Sequence, residues 1–174
     1  ADVERAEYYF KRIKLLDAEQ PDMLEFYSDF YRANAEWRKL FSLINGQLDS
    51  VDDAERALEL SEDLAEIAES EMGSPEKAID VWKTFLKEHG EAEEARQNLR
   101  RLYEEYQKWN ALVDFLKDEV KRLDASDNET RAQQIALLER ISEVYRTELG
   151  LDVMVINTLQ SILELDPGHT AAFA

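Results

Sequence analysis

Apolar residues recur along this chain at spacings of three and four rather than two, as in helices that bury one face. A first helix is expected over about Asp2 to Leu16, with Ala6, Phe10 and Ile13 on one side. Pro21 stands where a second helix can begin, since the first turn needs no backbone donor there. Met23, Phe26, Tyr27, Phe30 and Tyr31 line that helix, and Trp37, Leu40, Phe41, Ile44 and Leu48 line a third. Ser50 followed by Asp53 resembles a capping arrangement ahead of a fourth, which carries Ala57, Leu60, Leu64, Ile67 and Ala68 and closes at Gly73.

Ser74-Pro75-Glu76 restarts the pattern with a cap residue, a proline in the first turn and an early acidic side chain. Ala78, Ile79, Trp82, Phe85 and Leu86 form the buried stripe of a fifth helix that ends at Gly90. A sixth follows with Ala95, Leu99, Leu102, Tyr103 and Tyr106, and a seventh, after a break near Lys108, with Trp109, Leu112, Val113, Leu116, Val120 and Leu123. Ser126 and Glu129 have capping-box spacing and introduce an eighth helix through Ile135, Leu138, Ile141, Val144, Tyr145 and Leu149, stopped near Gly150. A ninth uses Val155, Ile156, Leu159, Ile162 and Leu163 and ends at Asp166-Pro167-Gly168. Connections this short make neighbouring helices antiparallel.

The stripes repeat at long range. Trp37 and Trp109 lie 72 residues apart, as do Ala6 and Ala78, and Phe30-Tyr31 becomes Leu102-Tyr103. Farther on the offset is 77: Leu64, Ile67, Met72 and Gly73 match Ile141, Val144, Leu149 and Gly150, and Ile79, Phe85 and Leu86 match Ile156, Ile162 and Leu163. Five extra residues between Asp49 and Ser126 account for the change. Each long unit holds two helix pairs of roughly 35 to 40 residues, a length at which a pair cannot cover its own apolar face and stacked pairs can. A closed, non-repetitive bundle is the alternative architecture.

Leu138, Ile141, Ser142 and Tyr145 resemble the first helix of a tetratricopeptide repeat, and Ile156, Leu163 and the Pro167 region resemble its second helix. Leu99, Leu102 and Tyr106 resemble another first helix, although Tyr103 replaces the usual small residue. Trp109, Leu112, Val113, Leu116 and Val120 make a heavier second helix than that family uses, so the repeats are degenerate and similar to a bacterial type. The resemblance implies an all-α, right-handed superhelical solenoid of about nine antiparallel helices, a single domain over 1–174 cut from a longer array. It also implies a protein-binding scaffold.

Composition narrows the chemistry. The 44% of apolar residues, with 7 Phe, 7 Tyr and 3 Trp, suffices for a packed core in 174 residues. The absence of cysteine removes disulfides and thiolate metal or redox sites. No apolar run approaches the roughly 20 residues of a membrane span, and a cytoplasmic location is the expectation. The formal charge of −18, from 39 acidic and 21 basic residues, repels phosphate backbones and anionic membranes. A protein or peptide partner, basic in character, is the expectation instead, with self-association through apolar terminal helix edges as the alternative.

The resemblance places the groove surface on the first helix of each pair. That selects Glu59, Glu62, Glu66 and Glu69 in the fourth helix, whose spacing independently puts them on one face. It also selects Gln97, Arg100, Glu104 and Gln107 in the sixth and Glu139, Glu143 and Arg146 in the eighth. Asp49, Asp52, Asp53, Glu55, Asp63 and Glu71 deepen the acidity around the first group, against Arg56 alone. The competing reading is a solvated face that keeps the chain soluble. Phe26, Tyr27, Phe30 and Tyr31 suit either a peptide groove or the core, and Trp37, Trp82 and Trp109 suit the core.

Catalysis has little support. His89 and His169, the only histidines, sit at expected helix ends without metal-site spacing. A C-terminal helix contact accounts for His89, and ordinary exposure for His169. No glycine loop for phosphate or Asp-Gly calcium loop occurs. Neither a cofactor, a metal nor an enzymatic activity is expected.

Overall fold

A computed structural model describes residues 21–90, 92–123 and 127–170. Among them are eight α-helices and no strand: α1 (Pro21–Ala33), α2 (Trp37–Leu48), α3 (Ala54–Glu66), α4 (Pro75–His89), α5 (Glu93–Glu105), α6 (Trp109–Arg122), α7 (Asn128–Val144) and α8 (Asp152–Leu165). The helix expected over Asp2 to Leu16 lies outside the described residues. The chain divides into two compact units, 1–99 and 100–174.

In the first unit each helix packs on the next, α1 on α2, α2 on α3 and α3 on α4. Leu40, Leu64, Ala57, Ala68 and Ala78 are fully buried, with Met23, Ile44, Ile67, Trp82 and Phe85 almost so. In the second unit α6 packs on α7 and α7 on α8, around Leu102, Leu112, Leu116, Ile141, Val144 and Ile162. Burying each of the larger of these side chains contributes roughly 1.5–3 kcal/mol, so the stripes set which helix faces meet. The Leu64 and Ile141 stripes carry this packing in their respective units.

The helix ends repeat as faithfully as the stripes. After α1 the chain enters the left-handed region at Ala35 (φ 55°), and the Glu36 N–H donates to Tyr31 O at 2.8 Å. After α5 it does so at Gln107 (φ 53°), and the Lys108 N–H donates to Tyr103 O at 2.7 Å. These positions are 72 residues apart. Helices α3 and α7 each end in a wider π-type turn, Ile67–Glu71 and Tyr145–Leu149. Each then passes through a left-handed glycine, Gly73 (φ 58°) and Gly150 (φ 63°), where a side chain would strain the backbone. The Ser74 N–H reaches back to Ala68 O at 2.8 Å and the Leu151 N–H to Tyr145 O at 2.9 Å, 77 residues apart. Two offsets read from side chains thus reappear in backbone geometry.

Three caps differ from expectation. Asp53, rather than Ser50, caps α3: its carboxylate accepts from the Arg56 N–H at 2.8 Å, while Ser50 Oγ donates back to Gln47 O. Ser126 lies outside the described residues, and Asp127 holds the cap of α7, accepting from the Glu129 and Thr130 N–H groups at 2.8 and 2.9 Å. Ser74 occupies the cap position of α4, but its side chain makes no capping bond, and Pro75 shapes the start. Asp competes well at a cap because its oxygen reaches the second and third N–H groups and its charge suits the positive helix end.

Candidate functional site

Helix α3 presents the acidic candidates together. Leu60, Leu64 and Ile67 anchor its inner side in the core, which turns Glu59, Glu62 and Glu66 outward as exposed side chains and leaves Glu69 half-buried in the π-type turn. Arg56 donates to Glu59 at 2.6 Å and partly neutralises the N-terminal end of the stripe. Asp63, on the flank of the stripe, is held by Arg32 of α1. Between residues 49 and 71 the chain has ten acidic side chains and one basic.

The remaining candidates are mostly engaged with one another or with neighbours. Gln97 is exposed and donates to Glu93 at 3.2 Å. Arg100 does not offer a free cation: its guanidinium meets Glu119 of α6 at 3.0 and 3.1 Å, and that carboxylate is only 7% exposed. A buried carboxylate requires such a partner, so the pair is structural. Gln107 is not on the sixth predicted helix, since α5 stops at Glu105 and Gln107 supplies the left-handed turn residue.

Glu104 accepts from Arg140 Nε and Nη2 at 3.1 and 2.8 Å, and Arg140 also reaches Glu143 at 2.6 Å. Burial opposes the Arg140 charge, but the hydrogen bonds to Glu143 and Glu104 outweigh it and raise the pKa. Glu139 is not free either: His169 approaches it at 3.2 Å, and the ring is mostly buried instead of ordinarily exposed. Arg146 is exposed.

Nothing in the sequence singled out Arg32, Glu119 or Arg140, or showed that Asp63, named there only for its acidity, is paired; the partners of these four lie 19 to 36 residues away. A signal existed for three of them, Arg32, Asp63 and Arg140. Under the repeat offsets Arg32 corresponds to Glu104 and Asp63 to Arg140, an exchange of sign at both positions.

The aromatics follow the core expectation in part. Trp82 is 2% exposed, whereas Trp37 and Trp109 are half-buried. Phe26 stacks on Phe30 and Tyr27 on Tyr31, with centroids at 6.2 and 5.6 Å, and all four are half-buried. His89 stacks on Phe85 in the last turn of α4, with centroids 5.3 Å apart. The large apolar side chains exposed among the described residues, Leu151, Val153 and Ile156, belong to the start of α8. Ile79, the counterpart of Ile156 in α4, is buried. Among the described residues no group of three or more metal-ligating side chains converges, and no helix is long and apolar enough to cross a membrane.

The class that emerges is an all-helical repeat, defined by duplicated helix pairs with matching turns. No family model matches the sequence. No curated protein matches it. Among solved structures it is similar to two crystal structures of MamA, both at 16% identity and TM-score 0.43, covering 84% and 87% of this chain and 78% and 76% of those chains. It is also similar to BtubC (BKLC) from P. vanneervenii at 15% identity and TM-score 0.43, covering 96% of this chain and 72% of that one. Superpositions this loose transfer neither a partner nor an activity.

Proposed function

We propose that the chain is a non-enzymatic protein-interaction scaffold and that the outer face of α3 binds a basic peptide or protein segment. The carrying observation is the exposed Glu59-Glu62-Glu66 stripe on a helix whose other side is locked in the core. Like charges on adjacent turns repel and lower helix stability by a few tenths of a kcal/mol per pair. A partner bearing lysine or arginine at matching spacing relieves that repulsion, and the field of the acidic surface speeds its approach.

Simultaneous Glu59→Lys, Glu62→Lys, Glu66→Lys and Glu69→Lys replacement tests the assignment. The partner's affinity falls at least tenfold, chiefly through slower association, and the wild-type affinity declines with added salt. Binding that survives both the reversal and salt undiminished contradicts it.

A second reading has its own observation. Leu151 at 44%, Val153 at 70% and Ile156 at 56% exposure give α8 an apolar edge suited to assembly with another helical element. On this reading polar replacement at Val153 and Ile156 abolishes association while the α3 reversal leaves it intact.

A further inference from the structure

We infer that the opposite polarity of the two interhelix ion pairs keeps the duplicated helix pairs from exchanging partners. In the first unit the cation is on α1 and the anion on α3: Arg32 donates to Asp63. In the second the anion is on α5 and the cation on α7: Arg140 donates to Glu104. The positions are equivalent by the backbone. Arg32 and Glu104 each precede a left-handed residue, Ala35 or Gln107, by three positions. Asp63 and Arg140 each lie ten residues before a left-handed glycine, Gly73 or Gly150.

Duplication creates a hazard. The two units share turn geometry and buried stripes, with Leu40 matching Leu112, Ile44 matching Leu116, Leu64 matching Ile141 and Phe85 matching Ile162. A helix from one unit therefore fits, to a first approximation, the site left by its counterpart, within one chain or between two during folding. The ion pairs remove that equivalence. Exchanged partners would set Arg32 against Arg140 and Asp63 against Glu104, so both correct contacts attract and both exchanged contacts repel. Core differences such as Ser61 against Leu138 and Ala57 against Gln134 add discrimination of their own. A decisive test must therefore leave the core untouched.

Three variants that conserve net charge test the effect, and because R140E also removes the Arg140–Glu143 contact, the quadruple variant serves as the control for that loss. R32E/D63R preserves the first pair with inverted sign, giving both units the same polarity. E104R/R140E does the same from the second unit. R32E/D63R/E104R/R140E inverts both pairs and restores the alternation. Each protein is unfolded in urea, refolded over a range of concentrations and separated by size, with the starting elution position as reference. An exposed pair is worth roughly a factor of two to five, and exchange alters two contacts together.

The fraction recovered outside the starting position is accordingly expected to rise about fivefold in either matched-polarity variant and to return to the wild-type value in the quadruple variant. Equal recovery across all four proteins overturns the inference. So does a quadruple variant that misassembles as much as the two doubles, because the loss would then follow from the substitutions and not from their relative sign.

Discussion

Asp127 shows how a single side chain fixes an element's start and its acid response. Its carboxylate accepts the Thr130 and Glu129 N–H groups, and these bonds, that to the Thr130 backbone foremost, hold its pKa below the ordinary carboxylate value. A depressed acid pKa stabilises the fold at pH values above the unfolded pKa, and that contribution disappears as pH falls through the folded pKa. Asp127→Asn keeps an acceptor at the cap without the titration, so its thermal midpoint should change less than the wild type's between neutral and strongly acidic pH. Asp127→Ala should lower the midpoint at neutral pH. An unchanged acid response in Asp127→Asn contradicts this role. Arg140 supplies no such window, since a raised arginine pKa leaves it charged throughout.

Arg100 argues the same scale from the other direction. Its partner Glu119 is buried, so removing the guanidinium takes a countercharge from a carboxylate in the core. Arg100→Ala should destabilise the protein by about 2 kcal/mol in urea unfolding, and Arg100→Met with Glu119→Leu should recover most of it. A loss as small as that of an exposed pair would return Arg100 to the candidate interaction residues. The sequence placed Arg100 on a helix, which α5 is, but had no means of showing the Glu119 contact, because that contact depends on how α5 meets α6.

At the scale of elements, turns carry the duplication. Gly73 and Gly150 were legible because glycine announces a left-handed residue, whereas Ala35 and Gln107 adopt the same conformation with nothing in their chemistry to announce it. The helical stripes were legible for the same reason as the glycines: burial of every third or fourth residue leaves a local pattern. Caps were harder, because Ser50 and Asp53, or Ser126 and Asp127, are chemically equivalent candidates until the first N–H groups are placed. Gly150→Ala should cost about 1 kcal/mol by strain alone, since no atom crowds the added methyl. Gln107→Gly should stabilise by about 0.5 kcal/mol, relief of strain exceeding the added chain entropy. Opposite signs in thermal unfolding check the pair. The same sign for both contradicts the assignment of the turns.

For the molecule, charge and repetition divide the work. Repetition builds the core of each unit. The excess of acidic residues, concentrated between 49 and 71, is only partly consumed by caps and ion pairs at Asp53, Glu59 and Asp63. The α3 stripe was legible as a face from spacing. Candidates on α5 and α7 were legible as polar positions, and Glu143 meets Arg140 within one helix, but Arg100 and Glu104 are joined to side chains 19 and 36 residues away, pairings that emerge only when helices are set side by side.

The account rests on α3 as the surface a basic partner meets, and placing photo-crosslinking side chains at position 62 or 66, and separately at 153 or 156, in the full-length protein within its native cells tests this most directly. Identification of the attached peptides should give lysine- and arginine-rich segments from the α3 positions. Attachment confined to the α8 positions, with none from α3, would contradict the account.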